Sequence, residues 1–137
     1  MATFRTFEEI EAWQQARELT KLVYEASGRG AFARDFALRD QIRRAAVSVM
    51  SNIAEGFGRG GLREFVQFLS VARGSTSEVG AQLYVALDQG YFDADRFARL
   101  QDQVTRTGSV LSGLMRYLRN STIKGTKYVR PAGSSRR

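Results

Sequence analysis

The sequence predicts an all-α fold: an antiparallel up-down-up-down four-helix bundle followed by a flexible basic C-terminal tail. Apolar residues recur at steps of three and four along four long segments, which is the period of amphipathic helices. No segment of useful length alternates with period two, so strands are not expected. The 137 residues include one proline, Pro131, and the short connections between segments favour antiparallel neighbours.

The first helix is predicted to begin at Thr6. The residues Thr6-Phe7-Glu8-Glu9 fit a capping box, in which a hydroxyl and a carboxylate each accept a hydrogen bond from a backbone N–H. The helix is expected to end at Ser27-Gly28-Arg29-Gly30. The stripe between these ends comprises Ile10, Trp13, Ala16, Thr20, Val23 and Tyr24.

Three further helices are predicted over about 35–55, 62–89 and 94–120. Asp35 marks the start of the second helix, Gly90 suits the end of the third, and Asp93 can cap the fourth. Residues 1–120 therefore form the predicted bundle domain. Residues 121–137 contain glycine, serine, threonine, one proline and five basic residues, so they are predicted to form the flexible basic tail.

Glycines occur at two kinds of position. Gly74, Gly80, Gly108 and Gly113 lie within predicted helices, where each costs about 1 kcal/mol relative to alanine, so we expect them to allow close helix approach. The segment 56–61 fits the string GxGxxG, but it follows a helix rather than a strand. It is therefore interpreted as a turn between helices and not as a dinucleotide site.

The charge is strongly segregated along the chain. There are 21 Lys+Arg against 14 Asp+Glu, a net charge of +7, and the last acidic residue is Asp102. Eight basic residues follow it: Arg106, Arg116, Arg119, Lys124, Lys127, Arg130, Arg136 and Arg137. A basic segment of this kind attracts polyanions, although a solubilising role explains it equally well.

The composition removes most enzyme classes. The chain has no cysteine and no histidine, which excludes disulfides, thiolate nucleophiles, imidazole bases and the usual zinc sites. We therefore expect no enzymatic activity, no catalytic residue, no metal and no cofactor. No apolar run is long enough to span a membrane. The first residues include several glutamates and lack the apolar run that a signal peptide needs. A cytoplasmic protein is therefore expected.

Two lines of polar residues border the apolar stripes of the second and third helices. One contains Arg44, Ser48, Asn52 and Glu55, and the other contains Ser75, Glu78 and Gln82. A metal-dependent hydrolase using Glu55 and Glu78 is one interpretation, but no further ligands cluster with them. The favoured interpretation is a hydrogen-bonded polar layer in which Glu55 or Glu78 pairs with Arg43 or Arg44.

Several cations are candidates for contacting nucleic acid. Arginine suits phosphate geometry, although Arg39, Arg43 and Arg59 could equally belong to a solvated face. Tyr117 and Tyr128 each lie between cations, a pattern that suits stacking on unpaired bases, while packing at the end of the bundle is the alternative for Tyr117. The candidates nearer the C-terminus are Arg116, Arg119, Lys124, Lys127, Tyr128 and Arg130.

A long motif then resembles a known family. Its most specific part runs from Gln41-Ile42-Arg43-Arg44-Ala45-Ala46 to Asn52-Ile53-Ala54-Glu55-Gly56, and it continues through Glu64-Phe65, Gly74-Ser75, Glu78 and Gly90-Tyr91. Over about residues 4–120 the chain is similar to the small bacterial four-helix bundle proteins encoded in intervening sequences of 23S rRNA genes. These are related to the accessory variability determinant of diversity-generating retroelements. The family often has proline where this chain has Met50, so the second helix is expected to be straighter.

The resemblance implies a protomer that assembles into a ring, most often a pentamer, without enzymatic activity. For the retroelement relatives it implies binding to nucleic acid and to a reverse transcriptase. We therefore expect a homo-oligomeric bundle that binds nucleic acid, RNA before DNA, through basic surface and tail residues. The alternative is a structural scaffold or protein-interaction module with no nucleic-acid role.

Overall fold

A computed structural model describes residues 4–123 of the chain. A short 3-10 turn at Phe7–Glu9 precedes five helices, which are α1 (Glu11–Ser27), α2 (Gly30–Arg34), α3 (Phe36–Gly58), α4 (Leu62–Asp88) and α5 (Ala94–Ile123). No strand occurs within these residues, so the all-α prediction is confirmed. The three longest helices lie within a few residues of their predicted bounds.

Each long helix packs against two of the others. α3 contacts α1 and α4, and α5 contacts the same two helices from the other side. The apolar faces that the sequence period predicts are buried between them and form two clusters. The cluster nearer the start of α1 includes Ile10, Val49, Ile53, Phe65, Leu69 and Leu111. The other includes Leu19, Val23, Phe32, Ile42, Val79 and Leu83.

Cross-helix contacts define how neighbouring helices are aligned. The Ser48 and Ser75 hydroxyls lie 3.0 Å apart between α3 and α4. Between α4 and α5, the Gln101 side chain donates to the Gly80 carbonyl at 2.8 Å. Between α5 and α1, the Gln103 side chain donates to the Gln15 carbonyl at 3.0 Å.

The start of α1 differs from the prediction. The predicted capping box does not form, because Thr6 makes no side-chain cap bond and the Glu9 carboxylate accepts from the Arg5 N–H at 2.9 Å. Ile10 is extended (φ −79°, ψ 122°) and separates the 3-10 turn from α1. This break buries the Ile10 side chain and places Phe7 edge-on against Trp13, with ring centroids 5.1 Å apart.

The short helix α2 lies between the predicted end of the first helix and the predicted start of the second, where the sequence predicted no helix. Its five residues are too few to show a helical period. Phe32 anchors it, because this buried ring stacks on Tyr91 at a centroid distance of 5.1 Å. Asp35 then starts α3 as predicted, since its carboxylate accepts from the Leu38 N–H at 3.2 Å.

The last helix continues past the predicted domain boundary at residue 120. Ser121 is buried, and its hydroxyl donates to the Tyr117 carbonyl at 3.1 Å. Nothing in the sequence breaks a helix before Gly125, which explains why residues 121–123 belong to α5 rather than to the tail. Residues 124–137 of the predicted tail lie outside the described residues.

Close helix approach occurs at two glycines. A Cβ at Gly56 would lie 2.5 Å from Phe68 Cβ, and a Cβ at Gly80 would lie 3.3 Å from Val104 Cγ1. The expectation of close approach was therefore right for Gly80 but wrong for Gly74, Gly108 and Gly113, where no other group of the described structure lies within 4 Å of the added atom. α3 also passes Met50 as one continuous helix.

Candidate nucleic-acid interface

Arg43, a predicted phosphate ligand, is engaged by the protein itself. Its Nε donates to Ser27 Oγ at 2.8 Å, and its Nη2 donates to the Tyr24 carbonyl at 3.3 Å. The guanidinium carbon also lies 4.3 Å from the centroid of the Tyr24 ring. These contacts join α3 to the end of α1, so Arg43 has a structural role in the described fold.

Arg39 and Arg59 are engaged in the same way. Arg39 donates to the Ala33 carbonyl at 3.0 Å and to Asp40 at 2.9 Å. Arg59 donates to Glu55 at 2.9 Å, and this hydrogen bond, with the charge of Glu55, raises the pKa of the Arg59 guanidinium. Each guanidinium also lies over an aromatic ring, Phe36 for Arg39 and Phe68 for Arg59.

The predicted polar layer forms in part. Ser48, Asn52 and Ser75 meet between α3 and α4, where the Asn52 amide donates to the Ser48 carbonyl and hydroxyl at 2.8 and 3.0 Å. Arg44, Glu55 and Glu78 instead lie on the exposed surface. Ser48, Asn52 and Ser75 need no charged partner, because their hydroxyl and amide groups bond to one another.

The predicted pairing of the glutamates was wrong. Glu55 pairs with Arg59, one turn further along α3, and Glu78 accepts from the Gln82 amide at 3.1 Å. A partner four residues away on the same helix is reached without crossing to a neighbour, which explains the difference. Within residues 4–123, no group of three or more acidic side chains is arranged to hold a metal ion.

Arg116 and Arg119 are the predicted cations that remain exposed near the end of α5. Within residues 4–123 neither is paired with a carboxylate. Tyr117 lies between them in sequence but turns into the protein, where it packs against the core cluster nearer the start of α1. The remaining candidates, Lys124, Lys127, Tyr128 and Arg130, lie outside the described residues.

Sequence reasoning missed Arg73. It is exposed on α4, and its Nη1 donates to Ser112 Oγ on α5 at 3.4 Å. This contact places Arg73 one turn of α5 away from Arg116. The sequence does not show that Arg73 lies near Arg116, because 43 residues separate them along the chain. Only the packing of α4 against α5 brings them together.

The exposed side of α4 carries an unusual stripe, which we call the α4 stripe: Val71, Gly74, Glu78, Ala81 and Val85. Their spacing of three and four residues places them on one face. All five are exposed, Val71 to 54% and Val85 to 45%. A cavity of about 530 Å³ opens beside Val71, lined also by Gln67, Phe68 and Ser70. A face this poor in charge is typical of a surface that contacts another molecule.

Comparisons with known proteins agree with the fold. The model of a family described as 23S rRNA-intervening sequence protein matches residues 8–113. A solved structure of a protein of unknown function from the S23 ribosomal protein family of Bacteroides thetaiotaomicron is similar, with a TM-score of 0.71 and 17% identity. The alignment covers 77% of this chain and 96% of that one. No curated protein matches the sequence. No helix within residues 4–123 is both long and apolar enough to cross a membrane.

Proposed function

Because the chain belongs to the family described as 23S rRNA-intervening sequence protein, we propose that it is a non-enzymatic, homo-oligomeric protein that binds RNA. One observation carries the proposal. Arg116 and Arg119 are exposed and unpaired with carboxylates within the described residues, and five further cations and no acidic residue follow them in the sequence. Such a run attracts phosphates regardless of nucleotide sequence.

The proposed unit is an antiparallel four-helix bundle formed by α1, α3, α4 and α5. The contacts between neighbours support it, because residue numbers rise along one helix as they fall along the next. Gly56 lies against Phe68 while Ser48 meets Ser75, for example. Binding rather than catalysis is proposed because the sequence has neither histidine nor cysteine. With RNA as the ligand, the cytoplasm is the proposed compartment.

Self-association is proposed to occur through the α4 stripe, with a ring of five as the form that the family resemblance favours. Two helices can approach closely where Gly74 and Ala81 present little side chain, and Val71 and Val85 would then become buried. Five protomers would bring their basic segments together on one assembly. Multivalency of this kind raises avidity for a polyanion without any new contact.

The proposal is tested by measuring how the full-length chain binds RNA and DNA, using fluorescence anisotropy over a salt series. The main variant replaces Lys124, Lys127 and Arg130 by glutamine. Each phosphate contact on a single strand contributes roughly −0.7 to the slope of log affinity against log salt, so the slope should shrink by about 2.

The matched control removes the same charge elsewhere. Arg29, Arg96 and Arg99 line a cavity of about 260 Å³ together with Glu25, between the end of α1 and the start of α5. Replacing these three by glutamine should leave the salt slope close to the wild-type value. An equal decrease of the salt slope in both variants would mean that binding depends on net charge and not on the C-terminal cations.

A structural scaffold is the second candidate, and the α4 stripe is the observation that favours it. Its partner could be another protein, such as the reverse transcriptase that the family resemblance implies for the retroelement relatives. Absence of RNA and DNA binding at low salt, together with a stable oligomer, would favour this candidate over the first.

A further inference from the structure

One edge of the protein combines cations with an exposed aromatic ring. We call it the α4–α5 edge: Arg73, Ser77 and Tyr84 of α4, with Gln101, Thr105, Gly108, Ser112, Arg116 and Arg119 of α5. Each set keeps steps of three, four or seven, so each follows one helix face. Three contacts join α4 to α5 along this edge: Arg73 to Ser112, Gly80 to Gln101, and Tyr84 to Phe97.

The three arginines are spaced along this edge rather than clustered. Arg116 is four residues beyond Ser112, the partner of Arg73, and Arg119 is three residues further, which corresponds to about 6 and 10 Å along the helix. All three are exposed. The residues of the α4–α5 edge include no aspartate or glutamate, so an approaching phosphate meets no carboxylate among them.

Tyr84 supplies an aromatic surface further along the same edge. It lies eleven residues beyond Arg73, about 16 Å along α4, and 56% of the residue is exposed. Phe97 supports the ring from one side, with centroids 4.9 Å apart and an interplanar angle of 65°. A ring held in this way loses little side-chain freedom when a second flat group stacks on it.

The surface between the arginines and Tyr84 is formed by small polar side chains. Ser77 and Thr105 are exposed, and a Cβ added at Gly108 would meet no other group of the described structure within 4 Å. A chain of nucleotides can therefore lie close to the two helices there. Serine and threonine hydroxyls also donate hydrogen bonds to phosphate and sugar oxygens.

We propose that the α4–α5 edge binds single-stranded RNA, with phosphates on Arg73, Arg116 and Arg119 and one base stacked on Tyr84. The inference rests on the proposed function and adds to it the residues and the strandedness of the ligand. Stacking requires an unpaired base, because the bases of a duplex already stack on each other. Arginines that contact only phosphates fix the path of the strand without selecting its sequence.

The test uses the full-length chain with a fluorescent oligouridine and with an RNA hairpin duplex of equal charge. Tyr84→Ala should weaken oligouridine binding about fivefold or more, since stacking of one base on an aromatic ring accounts for at least this factor. Tyr84→Phe should bind like the wild type. Tyr24→Ala, which removes an exposed tyrosine of α1, a helix that contributes no residue to this edge, is the control and should also bind like the wild type.

The salt slope separates stacking from charge. Tyr84→Ala should lower affinity at every salt concentration and leave the slope unchanged. Replacing Arg73, Arg116 and Arg119 by glutamine should reduce the slope by about 2, whereas the Arg29, Arg96 and Arg99 control should not. A structural defect would not produce this division, and circular dichroism checks that each variant is folded.

The outcomes are distinct from those of the proposed function. If the wild type binds neither RNA at low salt, the proposed function fails and this inference fails with it. If RNA binds but Tyr84→Ala binds oligouridine as the wild type does, or if the hairpin binds as tightly as oligouridine, the inference alone is overturned.

Discussion

The guanidinium of Arg43 lies 4.3 Å from the ring centroid of Tyr24 and donates to Ser27, so this candidate phosphate ligand joins two helices of the described fold. We expect Arg43→Ala to lower the free energy of unfolding by about 2 kcal/mol, because hydrogen bonds from a charged donor and a cation–π contact are lost together. Urea unfolding measures the change. Arg44→Ala, at the exposed neighbouring position, should change stability by less than about 0.5 kcal/mol. Equal losses would contradict the structural role of Arg43.

Gly56 and Gly113 should respond in opposite directions to alanine. At Gly56 the new methyl group would meet Phe68 Cβ at 2.5 Å, and overpacking of this kind costs roughly 1–3 kcal/mol. At Gly113 no other group of the described structure lies within 4 Å, so the better helix propensity of alanine should stabilise by up to about 1 kcal/mol. Thermal unfolding followed by circular dichroism gives the two signs, and a Gly56→Ala protein as stable as the wild type would refute the close approach.

Asp35 links the start of α3 to Tyr91, whose hydroxyl donates to its carboxylate at 2.7 Å. This hydrogen bond, followed by burial and by the negative charge of Asp35, raises the pKa of Tyr91 above its ordinary value of 10.0. A raised tyrosine pKa means that the folded state favours the neutral hydroxyl. The contribution is therefore complete below pH 10 and is lost as the pH rises through the higher pKa of the folded state.

Tyr91→Phe removes this pH dependence. We expect the variant to have a lower free energy of unfolding than the wild type at neutral pH. The difference between the two proteins should shrink as the pH rises above the ordinary pKa of tyrosine. Unfolding by urea at a series of alkaline pH values measures it. A difference that stays constant across the series would show that Tyr91 titrates normally.

The α4 stripe predicts how the proposed assembly can be broken. Gly74→Arg places a long charged side chain at a position where the described fold has open space, so the protomer should fold while the interface is blocked. Light scattering coupled to size exclusion should then give the protomer mass of 15.3 kDa. Ser51→Arg, at an exposed position on α3, is the control and should keep the wild-type mass. An unchanged mass for Gly74→Arg would place the contact elsewhere.

The sequence located the long helices because helical period depends on local spacing. The apolar steps through Leu38, Ile42 and Val49 require one buried face, and Asp35 begins that helix with a bond to a backbone group only three residues away. The prediction failed where a local capping preference competes with the burial of a side chain. Thr6 and Glu9 have the residues of a capping box, yet the chain bends at Ile10 because that side chain is buried.

The interface candidates divide in the same way. The exposed positions of Arg116 and Arg119 follow from their place outside the apolar stripe of α5, which the sequence displays. The partners of Arg39, Arg43 and Arg59 do not follow from the sequence, because each partner depends on which rings and carbonyls the fold brings within reach.

By itself, the sequence determined that this chain is helical, where its long helices lie and that its cations concentrate toward the C-terminus. These properties depend on residue type and on spacings of a few positions. The tertiary structure decided which groups of the protein each cation contacts, and it placed Arg73 and Tyr84 on one edge with Arg116. Contacts between residues far apart in the chain depend on how helices align and pack, and no local pattern in the sequence records that alignment.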